Sequence, residues 1–100
     1  MSGHPMKLVT IVCEALARDP VVDLLHEVHA HGYTVGQVEG AGAKGVRTGE
    51  MLELANVKIE VIVPPPVEEQ LLQRLQQEFF PHYAMIAYEC DIRVMRTEKF

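Results

Sequence analysis

Serine is almost absent from this chain. The single one, Ser2, lies in the opening MSGHPMK stretch. No serine or cysteine sits in an elbow motif, and no nucleophile–base–acid set stands out, so nucleophilic catalysis has little to work with. Cysteine is scarce too. Cys13 and Cys90 are far apart and show neither CxxC spacing nor a disulfide-framework density, which fits a reducing cytosol. Cations are outnumbered, 9 Lys and Arg against 14 Asp and Glu, for a net charge of −5 and a pI near 5.4. Such a balance argues against non-specific nucleic-acid binding, which needs a positive field. No apolar run approaches the roughly 18 residues of a membrane span. The opening residues also lack the apolar core of a secretory signal. Residues 1–5 read as a tail before Met6, so His4 is left out of any site.

What is present is globular. The chain has 100 residues, 48 % hydrophobic and 23 % charged, enough for a single domain with one core. KLVTIVC (7–13) is apolar on both faces and predicts a buried strand. Asp19–Pro20 predicts a helix start, with Val21, Leu24, Leu25 and Val28 as its apolar stripe and Gly32 closing it. YTVGQVE (33–39) returns to strand alternation. In VKIEVIV (57–63), Val57, Ile59, Val61 and Val63 share one face. Pro66 then opens a second helix, with Glu68 and Glu69 in its first turn and Leu71, Leu72, Leu75 and Phe79 as its stripe. Pro81 marks its end. YAMIAYEC (83–90) predicts a fourth strand and IRVMR (92–96) a short fifth. The order is β-α-β-β-α-β, the α+β ferredoxin-like pattern, with helices on one sheet face. The other face carries Val, Ile and Tyr, and that much apolar area implies association.

The connection from about residue 40 to 56 is far longer than a hairpin's usual 2–5 residues, and loops of that length are usually functional or disordered. It opens with GAGAKGVRTGE, which places Lys44 and Arg47 among glycines.

MKLVTIV, GYTVGQVEGAGAKG and NVKIEVIVP resemble, in that order, the PII signal-transduction family over most of residues 6–96. KGVRTGE, the NVKIEV strand and FFPHYAMIAYE resemble the PII-like branch linked to bicarbonate transport and carboxysomes. The long loop falls where PII proteins carry their T-loop. The resemblance implies a cytoplasmic homotrimer that binds adenine nucleotides in three inter-subunit clefts, each capped by a T-loop. Relatives of this branch sense adenine nucleotides, some respond to bicarbonate, and they act by changing the partner the T-loop engages, here a bicarbonate transporter or carboxysome-related protein. Ordinary PII proteins follow their second helix with a basic, glycine-rich segment ending in Gly-Asp-Gly-Lys. FFPHYAM replaces it, so part of the pyrophosphate grip is missing and ADP or AMP is favoured over ATP. The T-loop also lacks the tyrosine that ordinary members uridylylate.

Each candidate residue has a plainer reading beside the functional one. Gly40 and Gly42 let backbone N–H groups approach an anion, or serve only as hinges. Arg47 can grip phosphate or bicarbonate with paired hydrogen bonds and Lys44 supplies a point charge, with Thr48 beside them. The alternative is a solvated loop that touches a partner. Glu60 points opposite to Ile59 and Val61. The resemblance makes this strand an adenine wall through Glu60, Val61 and Ile62, and the plain reading is a cross-strand charge pair. It also makes Gly32, Tyr33 and Thr34 the adenine-side segment of the neighbouring subunit. Tyr88 reads first as core or interface. Arg93 and Arg96 reach phosphates by resemblance, although the family spaces its two arginines by two rather than three, and are otherwise surface charge.

His26, His29 and His31 form HEVHAH near the first helix's end. His26 and His29 share a face that zinc or copper could use, but no third ligand follows at firm spacing, and solvated histidines are the plainer reading. Two other functions suit the same architecture: a trimeric metal binder like the copper-tolerance proteins, and a small hydrolase of acyl phosphates.

Overall fold

The structure is a computed structural model and describes residues 3–42, 45–47, 56–98 and 100. Strand β1 runs His4–Glu14, β2 Gly32–Val38, β3 Gly40–Gly42, β4 Gly45–Arg47, β5 Asn56–Val63 and β6 Met85–Val94. Helix α1 spans Arg18–Glu27 and α2 Pro65–Arg74. The main sheet has the order β2-β5-β1-β6 with every neighbouring pair antiparallel. β1 and β2 are therefore parallel with β5 between them, and α1 makes the crossover. β5 and β6 repeat the arrangement around β1 through α2. Two interleaved split β-α-β units give the ferredoxin-like architecture that the element order predicts.

Alternation sorts each strand into two faces. Val9, Ile11 and Cys13 of β1 and Ile59, Val61 and Val63 of β5 are buried under the helices. Val21, Leu24 and Leu25 of α1, with Leu71, Leu75 and Phe79 around α2, close the core. Arg74 ties the two helices together. It donates to both carboxylate oxygens of Glu78, at 2.8 and 2.9 Å, and to Glu27 of α1 at 2.8 Å. These two carboxylates push the guanidinium's pKa further up. No helix among the described residues is long and apolar enough to cross a membrane.

Several expected boundaries move. A 3-10 turn, Ala15–Ala17, leads into α1 at Arg18. Asp19 does not cap the helix, because α1 already begins at Arg18 with Ala17 in the cap position; its carboxylate accepts from the Arg18 guanidinium at 2.6 Å. Gly32 does not close it either. His29 takes the left-handed turn, with φ 63°. The His29 N–H donates to the His26 carbonyl and the Ala30 N–H to the Leu25 carbonyl, which is the Schellman pattern. In α2 Pro65, not Pro66, opens the helix, and a π-helical turn over Leu75–Phe79 extends it.

The fourth and fifth strands are one. β6 runs unbroken through Asp91, a residue type disfavoured in strands, because Asp91 faces Lys7 across the ladder and forms an ion pair with it. The expected tail is shorter than residues 1–5, since His4 and Pro5 pair with Val94 and Arg93. Small buried thiols are the default reading of both strand cysteines; Cys13 is buried, and burial pushes its thiol up to about 11. Cys90 is exposed, because even positions of β6 face away from the helices.

The long connection is not wholly irregular. Gly40–Gly42 pairs with Gly45–Arg47 as a two-stranded ribbon, Gly40 opposite Arg47. The excursion leaves and rejoins the sheet at one register pair, Val38 with Asn56.

Candidate functional site

The uncovered face of the sheet gathers several of the candidates. Gly32 lies opposite Ile62, Tyr33 opposite Val61 and Thr34 opposite Glu60. Glu60 pairs on its other side with Thr10, and Thr10 with Tyr88. A row Thr34–Glu60–Thr10–Tyr88 therefore crosses all four strands. A parallel row runs Gly32–Ile62–Leu8–Cys90. On this face Tyr88 is 52 % and Ile86 59 % exposed. Lys58 lies 4.0 Å from Glu60 on the same strand, so the expected charge pair runs along β5 rather than across strands, among half-buried apolar side chains.

Tyr33 and Val61 turn the other way. Val61 is fully buried in the core, and Tyr33 packs against the core with its ring edge-on to His26 at 6.2 Å. The open face thus presents the side chains of Thr34, Glu60, Ile62 and Tyr88 and the backbone of Gly32.

The basic residues lie elsewhere. Gly40 and Gly42 are backbone partners of Arg47 and Gly45 in the ribbon, at the far end of β2 from Gly32. Lys44 and Thr48 lie outside the described residues, as does the side chain of Arg47. Arg93 sits at the opposite end of the sheet, where a cleft of about 550 Å³ opens between Pro5, Lys7, Pro65, Asp91 and Arg93. Arg96 follows β6 and pairs with Glu98 at 2.9 Å.

Beside that cleft is an acidic cluster around Lys7. Lys7 donates to Asp91 and lies 3.7 Å from Glu89, and the hydrogen bond to Asp91 raises its pKa. Glu68 of α2 packs against the same group. Its Oε2 is buried without a donor among the described residues, and burial beside Glu89 raises its pKa. Among the described residues no group of three His, Cys, Asp or Glu is arranged to hold a metal ion. His26 is exposed with its ring edge-on to Tyr33, and His29 takes the left-handed turn at the helix end.

Two residues escaped the sequence reading. Thr10, only 3 % exposed, sits between Glu60 and Tyr88. A polar residue between Leu8 and Val12 on one face of an apolar strand is a signal that could have found it. Phe100 lies against Gly32, and nothing local in the sequence announces that contact.

The family of nitrogen regulatory protein P-II matches residues 6–99. A proposed PII-like signalling protein of Thermus thermophilus is 43 % identical, with 100 % of this chain and 99 % of that one covered and a TM-score of 0.85. CPII of Thiomonas intermedia K12, a nitrogen regulatory PII-like protein solved with ADP, AMP and bicarbonate, is 30 % identical over 93 % of this chain and 91 % of its own, TM-score 0.85. The same protein solved with ADP, AMP and acetate covers 100 % of this chain and 98 % of its own, at 27 % identity and TM-score 0.84.

Proposed function

The chain belongs to the nitrogen regulatory protein P-II family, and from that premise we propose that it is a regulatory sensor rather than an enzyme. It binds ADP or AMP in preference to ATP in clefts between the subunits of a homotrimer, with bicarbonate as a second ligand. Binding orders the segment over residues 40–56 and so controls a partner protein in inorganic-carbon metabolism, a bicarbonate transporter or a carboxysome-related protein.

One observation carries the inter-subunit reading. Gly32 and Thr34 begin β2, whereas Gly40 and Arg47 follow its end. Six to eight residues of extended chain put about 20–26 Å between the two groups, more than a nucleoside diphosphate spans. One chain's β2 cannot offer both groups to a single nucleotide, but two chains can. The open face supports the assembly, since exposed Ile86 and Tyr88 leave apolar area that a neighbour would cover. CPII, whose structures hold ADP with AMP and either bicarbonate or acetate, supports a nucleotide and a small planar anion as joint ligands. Arg47 is suited to such an anion because its planar guanidinium matches a carboxylate-like group with two parallel hydrogen bonds.

Ordering the loop costs of order 1–2 kcal/mol per residue fixed. A charged hydrogen bond returns about 1.5–3 kcal/mol. Two such bonds with backbone contacts offset the ordering of only a few loop residues, so the ligand fixes a short part of the loop and switches it between states by stabilising only the state it contacts. Isothermal titration of the chain with AMP, ADP and ATP, with and without bicarbonate, tests this. ADP or AMP should bind more tightly than ATP, and Arg47→Ala should weaken binding by about tenfold or more, the equivalent of one charged hydrogen bond. No heat with any nucleotide in either buffer would sink the sensor reading.

A further inference from the structure

The tail beyond β6 does not lead away from the sheet. Arg96 pairs with Glu98 at 2.9 Å, and the Phe100 N–H donates to the Thr97 carbonyl at 3.0 Å, closing a turn. β6 ends beside His4, at one edge of the sheet, whereas Gly32 lies on β2 at the other. The tail crosses that width, and the Phe100 ring comes to rest on Gly32. A Cβ placed at Gly32 would fall on Cδ1 and Cε1 of the ring, with Cζ at 3.3 Å. Gly32 and Ile62 are register partners and face the same way, so the ring lies on the uncovered side, the side of Thr34 and Glu60. Gly32 has ordinary strand dihedrals and closes no turn. What its missing side chain provides is room for a flat ring against the backbone.

We propose that Phe100 is a built-in occupant of the base platform, and that adenine nucleotide must displace the tail before it can bind there. The inference rests on the sensor reading above. A purine and a phenyl ring are both flat and apolar-faced, and both fit a strand surface with no Cβ. They cannot share it. The tail therefore competes with nucleotide, and its release frees Arg96 and Glu98 from a fixed position at the moment of binding. Bound nucleotide is thus reported at the tail as well as at the long loop.

Competition has a definite arithmetic. A platform open one-tenth of the time weakens nucleotide about tenfold relative to one always open. Full-length chain and its Phe100→Ala variant are titrated with ADP and with AMP, and the Gly32 α-protons are followed by NMR in both. The wild-type Gly32 resonances should be displaced by the ring current and return to ordinary values in Phe100→Ala and on saturation with ADP. Phe100→Ala should bind ADP several-fold to tenfold more tightly. Equal affinity in the two chains would overturn the inference while leaving the sensor intact. So would an undisplaced Gly32 signal in the free wild type, or a weakened assembly with no gain in affinity, which would mean the ring is a subunit contact. Failure of both chains to bind any nucleotide removes the sensor reading and this inference with it.

Discussion

The two faces of this sheet are made from the same strands and obey opposite rules. Under the helices, Val9, Ile11, Ile59 and Val61 are all fully buried within one apolar cluster. One residue along each strand, the open face mixes Leu8, Thr10, Lys58, Glu60, Ile62 and Tyr88 at intermediate or high exposure, Thr10 alone being buried. The covered face needs only apolar volume of the right shape. The open face keeps hydroxyls, a carboxylate and a glycine among its apolar groups, which suits a surface that meets a ligand and another chain. Stability and recognition are thus separated by the two-residue period of the strand itself.

Removing volume from the covered face should have the largest effect. Ile59→Ala leaves a cavity in the central sheet and should cost about 3–4 kcal/mol in urea unfolding, as buried Ile or Leu to Ala changes do. If it cost less than about 1 kcal/mol, the two faces would not differ as described. A charge on the open face should do the reverse. Ile86→Asp should leave the far-ultraviolet circular dichroism of the chain unchanged, yet sedimentation should show a single-chain mass where the parent sediments as a trimer. A trimer of normal mass would mean that the open face is not the association surface.

The cysteines divide the same way. Cys90 should react with a maleimide, and should be protected as assembly covers it. Cys13, whose thiol burial pushes up to about 11, should stay unmodified at neutral pH until the chain unfolds. The smallest effect expected is at Glu68. Its pKa is raised in the folded chain, so the native state holds the proton more tightly than the unfolded one. Stability should therefore fall as pH rises from the ordinary glutamate value of 4.5 through the raised one. Glu68→Gln should flatten that fall and raise the melting temperature at pH 7 by about 2 °C, the size of a few tenths of a kcal/mol in a domain this long. No gain over the parent at pH 4 should accompany it.

Much of the covered face was readable in advance. VKIEVIV predicts a strand over 57–63 and the structure gives 56–63, because strict alternation with β-branched residues leaves a strand little alternative. The helix stripes were readable for the same reason. The errors fall where another residue, near or far in sequence, overrides a local preference. Asp91 suggested a break, and Lys7, far off in sequence, removes it. Asp19 suggested a cap, but Ala17 already holds that position. Gly32 suggested a helix end, but His29 accepts the left-handed conformation and frees the glycine for the open face. The exposure of Cys90 was not readable, since Ile86, Tyr88, Ile92 and Val94 share its side of β6 and read as a core face, whereas the structure packs Met85 and Ala87 on the core. Of the candidate site, the Gly32–Thr34 and Glu60–Ile62 segments could be named from resemblance, but their direct pairing follows only from strand order.

The single register pair at the foot of the long excursion has a consequence for how such a chain can change over time. Val38 and Asn56 hold the two ends of residues 39–55 at fixed separation, whatever lies between. The closure entropy of such an excursion grows only with the logarithm of its length, about 0.6 kcal/mol for each doubling. Substitutions, insertions and deletions there leave the pairing of β2 with β5 in register. The excursion is an exchangeable module: its sequence can drift toward a new partner while the ladder that presents it is inherited unchanged.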